Sequence, residues 1–137
     1  MKMETLIIDD DSVMCYLHKR ICGKVNAGTV NTFCEPQKAI EFLRKSDSED
    51  RRRLILLDIN MPEMSGWDVL NILDTLPFKT SLYIVLVTSS IDKVDIEKAK
   101  DYPLVRKFVS KPLRQTKLEE LCQAAVIYWG KDVSRAS

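Results

Sequence analysis

Six side chains in this sequence stand where they can do chemistry together: Asp9, Asp10, Asp11, Asp58, Thr88 and Lys111. The acidic triplet closes the apolar run Leu6-Ile7-Ile8, and Asp58 closes Leu54-Ile55-Leu56-Leu57. Thr88 closes the run from Tyr83 to Val87, and Lys111 stands just past Phe108-Val109. Carboxylates a few ångströms apart raise each other's pKa unless a cation neutralises them. All the ligands offered are oxygens, which favours a hard ion. A shell completed by water and phosphate oxygens suits Mg2+, with Mn2+ as the alternative. An ionised carboxylate held beside such a metal can attack phosphorus and become an aspartyl-phosphate. Lys111 as a point charge and Thr88 as a hydroxyl donor would then meet the phosphoryl oxygens.

The elements that must position these groups follow from the apolar pattern. Leu6–Ile8, Thr29–Phe33, Leu54–Leu57, Tyr83–Val87 and Phe108-Val109 read as five strands. Their continuous rather than alternating apolarity marks strands buried on both faces of a parallel sheet. Between them lie helical stretches over Ser12–Gly23, Pro36–Leu43, Trp67–Leu76 and Ile91–Lys100, and Arg114–Trp129 closes the set. Val13, Met14, Leu17 and Ile21 form one face of the first helix, Gly23 ends it, and Asp11 and Ser12 are good capping types for its start. The charged stretch Lys45–Arg53 breaks the periodicity and reads as a solvated loop that includes Arg51-Arg52-Arg53. The result is a five-fold β-α repeat. In such an open sheet, ligands bind outside the carboxyl ends of the strands, where the six side chains converge.

The 137 residues fit one domain, and 45% hydrophobic content supplies a core. With 21 basic and 20 acidic residues, nothing in the charge asks for nucleic acid or an anionic membrane. No apolar run approaches the ~20 residues of a bilayer span, and Met1–Glu4 lacks a secretory profile, so the expected location is cytoplasmic. The cysteines, Cys15, Cys22, Cys34 and Cys122, form no C-x-x-C pair, and four reduced, packed thiols suit a reducing compartment. Cys15, His18 and Cys22 recur at helical spacing, which reads as one buried helix face rather than a metal site. His18 is placed away from the acidic edge, with no phosphotransfer role, and Trp67 and Trp129 are read as packing residues.

Taken in order, Leu6-Ile7-Ile8-Asp9-Asp10-Asp11, Asp58-Ile59-Asn60-Met61-Pro62-Glu63-Met64-Ser65-Gly66, Val87-Thr88-Ser89 and Ser110-Lys111-Pro112-Leu113 resemble the receiver domains of two-component response regulators. The resemblance is to the stand-alone, chemotaxis-regulator-like type. It covers Glu4 to Tyr128, with a receiver over 4–129 and 130–137 as a short tail that is no output domain. It implies a flavodoxin-like (βα)5 doubly wound sandwich with strand order 2-1-3-4-5. It implies Asp58 as phosphoacceptor, fed from a phosphohistidine donor on a sensor histidine kinase or a histidine phosphotransfer protein. Asp10 would be a direct metal ligand, Asp9 would act through metal-bound water, and Asp58 and the Asn60 backbone carbonyl would complete the protein's share. Thr88 and Lys111 would contact the phosphoryl group, across a cis Lys111–Pro112 bond. Thr88 and Phe108 would form the conformational switch, and Asn60 and Ser90 would tune the phosphoryl lifetime. Such a domain turns over no independent substrate and is not an enzyme in that sense. It signals to a protein partner as a monomer or weak dimer.

Two other readings compete. Asp9-Asp10-Asp11-Ser12-Val13 fits the D-x-D-x-[T/V] motif of haloacid-dehalogenase-like phosphatases, with Asp9 as nucleophile. That reading leaves Asp58 and its continuation unexplained and finds no cap domain and no acidic pair after the fourth strand. A degenerate receiver serving only as a binding module is disfavoured by the complete set of acceptor, acidic pair, threonine and lysine. A nucleotide-binding Rossmann domain fails for want of a glycine-rich loop after the first strand, the whole chain having four glycines.

Overall fold

A computed structural model describes residues 2–45, 51–89 and 92–136. Five parallel strands, β1 (Lys2–Ile8), β2 (Thr29–Phe33), β3 (Arg51–Asp58), β4 (Leu82–Thr88) and β5 (Val105–Ser110), form one sheet in the order β2-β1-β3-β4-β5. The helices are α1 (Ser12–Cys22), α2 (Pro36–Lys45), α3 (Gly66–Leu73), α4 (Lys93–Ala99) and α5 (Gln115–Ala136). This is the flavodoxin-like order expected, with β1 and β3 adjacent at the point where the winding reverses.

The doubly wound build follows from the period of two along each strand. Leu6 and Ile8, Ile55 and Leu57, and Leu82, Ile84 and Leu86 point to one face, where they meet Ala39 and Leu43 of α2 and Val69, Leu70 and Leu73 of α3. Ile7, Leu54, Leu56, Tyr83, Val85 and Val87 point to the other, where Cys15 and Cys22 of α1 and Leu118, Leu121, Ala125 and Trp129 of α5 cover them. Trp67 and Trp129 are both buried packing residues, as expected.

Local signals set the helix starts that matter for the site. Asp11 caps α1, its carboxylate accepting from the Val13 and Met14 N–H groups. Ser65 caps α3 in a reciprocal box with Asp68, a device worth about 1 kcal/mol.

The structure corrects four expectations. Strand β3 begins at Arg51, so Arg51–Arg53 are not a solvated loop, while residues 46–50 of that stretch lie outside the described residues. Arg53 is fully buried, and its guanidinium lies 3.7 Å from the Glu4 carboxylate and 5.9 Å from the Phe42 ring centroid. Arg51 meets the same Glu4 oxygen at 3.0 Å. The reason is non-local: Lys2–Glu4 of β1 pair in register with Arg51–Arg53 and draw them into the sheet. Strand β5 is longer than Phe108-Val109: on this edge strand exposed Lys107 pairs with Val85, and exposed Arg106 is passed over at a shift in register. Helix α5 continues through Ala136 and takes in most of the segment set apart as a tail. Of the four thiols three are buried, and Cys34 is exposed.

Candidate functional site

The carboxyl ends of β1, β3, β4 and β5 converge on one edge. Asp9 follows β1 directly, Asp58 is the last residue of β3, Thr88 the last of β4, and Lys111 follows β5. Register brings them level: Ile8 lies beside Leu57, Asp58 beside Val87, and Thr88 beside Ser110.

The ammonium of Lys111 sits 2.7 Å from Asp9 Oδ2 and 3.4 Å from Asp58 Oδ1. All three side chains are buried to within a few per cent. Asp10 is exposed at the mouth, yet one carboxylate oxygen each from Asp9, Asp10 and Asp58 lie within 4.8 Å of one another. Three carboxylates therefore face one ammonium. The excess negative charge and the all-oxygen donor set fit a hard divalent cation. The Cys15–His18–Cys22 face contributes to no such cluster among the described residues.

The two buried carboxylates are not equivalent. Asp9 is tied down on every side: Oδ2 by Lys111, Oδ1 by the Asp11 N–H at 2.9 Å, its own N–H by Phe33 O at 3.1 Å, and its carbonyl by the Cys15 thiol at 3.2 Å. Asp58 has its Oδ1 near Lys111 and accepts from the Asn60 backbone N–H. Burial, reinforced by the Asp9 charge, pushes its carboxyl up to about 6, and Lys111 and the Asn60 N–H hold it from rising further. Burial alone would lower the Lys111 ammonium, but its hydrogen bond to Asp9 and the charge of Asp58 outweigh that and leave it raised. Lys111 is thus held as a cation.

The remaining groups fall as follows. Thr88 is fully buried, and its carbonyl accepts from the Lys111 N–H at 2.6 Å. Phe108 is half-buried beside Leu86 and packs against the core on the α2–α3 face. Asn60 is exposed, and Ser90 lies outside the described residues. The Lys111–Pro112 bond is cis. The loop after Asp58 closes on itself: the Gly66 N–H donates to Ile59 O at 2.8 Å. A Cβ on Gly66 would stand 2.6 Å from Asp58 O, closer than real Cβ contacts come.

One residue was misplaced by sequence reading. His18 is not remote from the acidic edge; it is buried beneath it, and its Nε2 accepts from the Leu113 N–H at 3.1 Å. It thereby supports the turn that carries Lys111. Burial lowers its pKa, with Asp9 opposing and Lys111 assisting, which keeps the ring neutral and able to accept. No local signal marks this role, since the partner is 95 residues away.

Known proteins share this fold. A response regulator from Cytophaga hutchinsonii superposes with a TM-score of 0.82 at 27% identity, covering 92% of this chain and 98% of its own. A receiver protein from Dyadobacter fermentans gives 0.82 at 28%, covering 90% and 98%. The chemotaxis protein CheY4 of Vibrio cholerae shares the fold with a TM-score of 0.76 at 17% identity, over 91% of this chain and 99% of its own. A probable methanogenesis regulatory protein, FilR2 of Methanothrix harundinacea, is 23% identical over 127 residues, 90% of this chain and 81% of its own. The sequence pattern described as the response regulator receiver domain matches residues 5–123, which reach from β1 into α5 and include every strand end described above. The chain belongs to the response regulator receiver domain family.

Proposed function

We propose that this chain accepts a phosphoryl group on Asp58 from a phosphohistidine donor and signals by the conformational change that follows. The observation that carries the reading is the asymmetry of the two buried carboxylates. Asp9 is held through both oxygens, by Lys111 at 2.7 Å and by the Asp11 N–H at 2.9 Å, whereas Asp58 stands at the end of a central strand with the same cation farther off, at 3.4 Å. That asymmetry also argues against Asp9 as the nucleophile of a phosphatase.

In the transfer, an Asp58 oxygen forms the bond to phosphorus while the P–N bond to the donor imidazole breaks. The bonding pair returns to the imidazole, which leaves as the neutral ring once protonated. Lys111 then turns its charge toward the phosphoryl oxygens, and Thr88 offers its hydroxyl. Asp9, Asp10, Asp58 and the Asn60 carbonyl would hold Mg2+, or Mn2+ in its place, which supplies charge neutralisation to the incoming phosphoryl group. His18 holds the turn of Lys111, and Gly66 lets the loop after Asp58 close without displacing its carbonyl. Thr88 and Phe108 form the switch, and Asn60 and Ser90 set how fast water removes the phosphoryl group. The donor is a sensor histidine kinase or a histidine phosphotransfer protein, and the output is a protein partner rather than nucleic acid or membrane. The cytoplasm is the matching compartment; among the described residues no helix is long and apolar enough to cross a membrane.

The test is intact mass after incubation with acetyl phosphate and Mg2+, on wild type, Asp58→Asn and Asp9→Asn. A single phosphoryl adduct that needs Mg2+ and disappears in Asp58→Asn is the expected result. An adduct that survives in Asp58→Asn and is lost in Asp9→Asn would overturn it. Failure of both acetyl phosphate and a phosphohistidine donor to label wild type would leave a binding module instead.

A further inference from the structure

Beneath Asp9 lies a pair of sulfurs that the phosphoryl chemistry does not use. Cys34 follows the last residue of β2 and is exposed, while Cys15, one turn into α1, is buried. Their Sγ atoms are 3.9 Å apart. The backbone fixes this approach from both sides. The Cys15 thiol donates to Asp9 O, and the Asp9 N–H donates to Phe33 O, the residue before Cys34. One strand end thus anchors both sulfurs.

We propose that Cys15 and Cys34 are an oxidative modification site, closed by peroxide into an intramolecular disulfide at the base of the acidic edge. Exposure decides the order of events, since peroxide reaches Cys34 and not Cys15. The Cys34 sulfur attacks one peroxide oxygen, the O–O bond breaks, and water leaves a sulfenic acid. The Cys15 sulfur then attacks the Cys34 sulfur, and its proton departs with the hydroxyl as a second water. Two thiols have lost two electrons, and one peroxide has become two waters. The sulfurs must close from 3.9 Å to the ~2.0 Å of a disulfide, a movement under about 2 Å. The thiol hydrogen that Cys15 gave to Asp9 O is lost in the product. The proposal rests on sulfur geometry and stands whether or not Asp58 accepts phosphate.

The experiment treats the full chain with hydrogen peroxide and follows intact mass, peptide connectivity and oligomeric state, on wild type, Cys34→Ser and Cys15→Ser. Serine at position 15 keeps a donor for the Asp9 carbonyl, so that variant is expected to fold, which its circular dichroism would check. Wild type should lose the mass of two hydrogens, stay monomeric, show the peptides of Cys15 and Cys34 joined, and revert with dithiothreitol. Cys34→Ser should not change. Cys15→Ser should gain oxygen at Cys34, captured by a dimedone-type reagent. The buried thiols Cys22 and Cys122 are retained throughout as internal controls. Oxygen accumulating on Cys34 in wild type without a link to Cys15 would overturn the proposal. So would a link through Cys22, through Cys122, or between two chains.

Discussion

The two ends of one sheet bury ions in opposite proportions. Among the described residues at the amino ends of β1 and β3, one carboxylate, Glu4, faces two guanidiniums, Arg51 and Arg53. At the carboxyl ends, three carboxylates face the single ammonium of Lys111. The first cluster is built from long side chains that reach their partners and cover apolar surface on the way, Arg53 lying over Phe42. It joins β1 to β3. The second is built from short side chains at loop junctions, which cannot rearrange to cancel their own charge. Burial makes that deficit costly, so the carboxyl end is poised for a cation and the amino end is closed to one.

Removing Lys111, the cation between Asp9 and Asp58, gives the largest expected change. Lys111→Met should slow phosphorylation by acetyl phosphate by ~10²-fold or more, while Mg2+ affinity rises. Labelling kinetics and Mg2+ titration by Trp fluorescence would measure both. Slower labelling with weaker Mg2+ binding would mean that Lys111 organises the carboxylates rather than balancing them. Arg53→Met at the opposite end should cost about 3 kcal/mol in urea unfolding, because Glu4 loses a fully buried partner. Mg2+ affinity should be untouched; a change there would show that the two ends communicate.

Asp10→Asn separates binding from folding. Asp10 is exposed, so urea stability should stay within about 0.5 kcal/mol of wild type. Mg2+ affinity should fall about tenfold, near 1.4 kcal/mol, read in the same titration. The smallest effect concerns His18. Its folded pKa lies below the ordinary value, so below about pH 6.5 the unfolded chain binds the extra proton. Its contribution is therefore complete above that pH and lost as pH falls. Stability should accordingly fall as pH is lowered through and below about 6.5. His18→Gln should remove that part of the slope in parallel urea titrations, and an unchanged slope would place the acid sensitivity elsewhere.

The same comparison shows what was legible in the sequence. The carboxyl end could be read because strands buried on both faces leave unbroken apolar runs, and the residues that stop those runs are the ones gathered at the candidate site. Asp9, Asp58, Thr88 and Lys111 were placed that way, and the structure brings their strand ends together. The amino end was misread because a run of arginines looks like solvated surface, and only pairing with Lys2–Glu4 turns it into strand. His18 was placed wrongly for a related reason. Its partner Leu113 becomes its neighbour only once α1 and the turn after β5 are stacked on the same sheet. Local pattern finds what ends a strand; contacts made across the fold leave no trace in it.

The closed loop after Asp58 separates two kinds of sequence change. With the Gly66 N–H on Ile59 O and its Cα against the Asp58 carbonyl, residues 59–66 form a ring whose perimeter is fixed while its outward side chains are free. Asn60, Pro62 and Glu63 all face solvent on it. Substitutions there can rewrite the chemistry presented beside Asp58 without moving it, whereas an inserted residue would have to open the ring. Asp58 is thus sensitive to changes of length in this loop but not of composition, and the rim can diversify while this carboxylate stays in register.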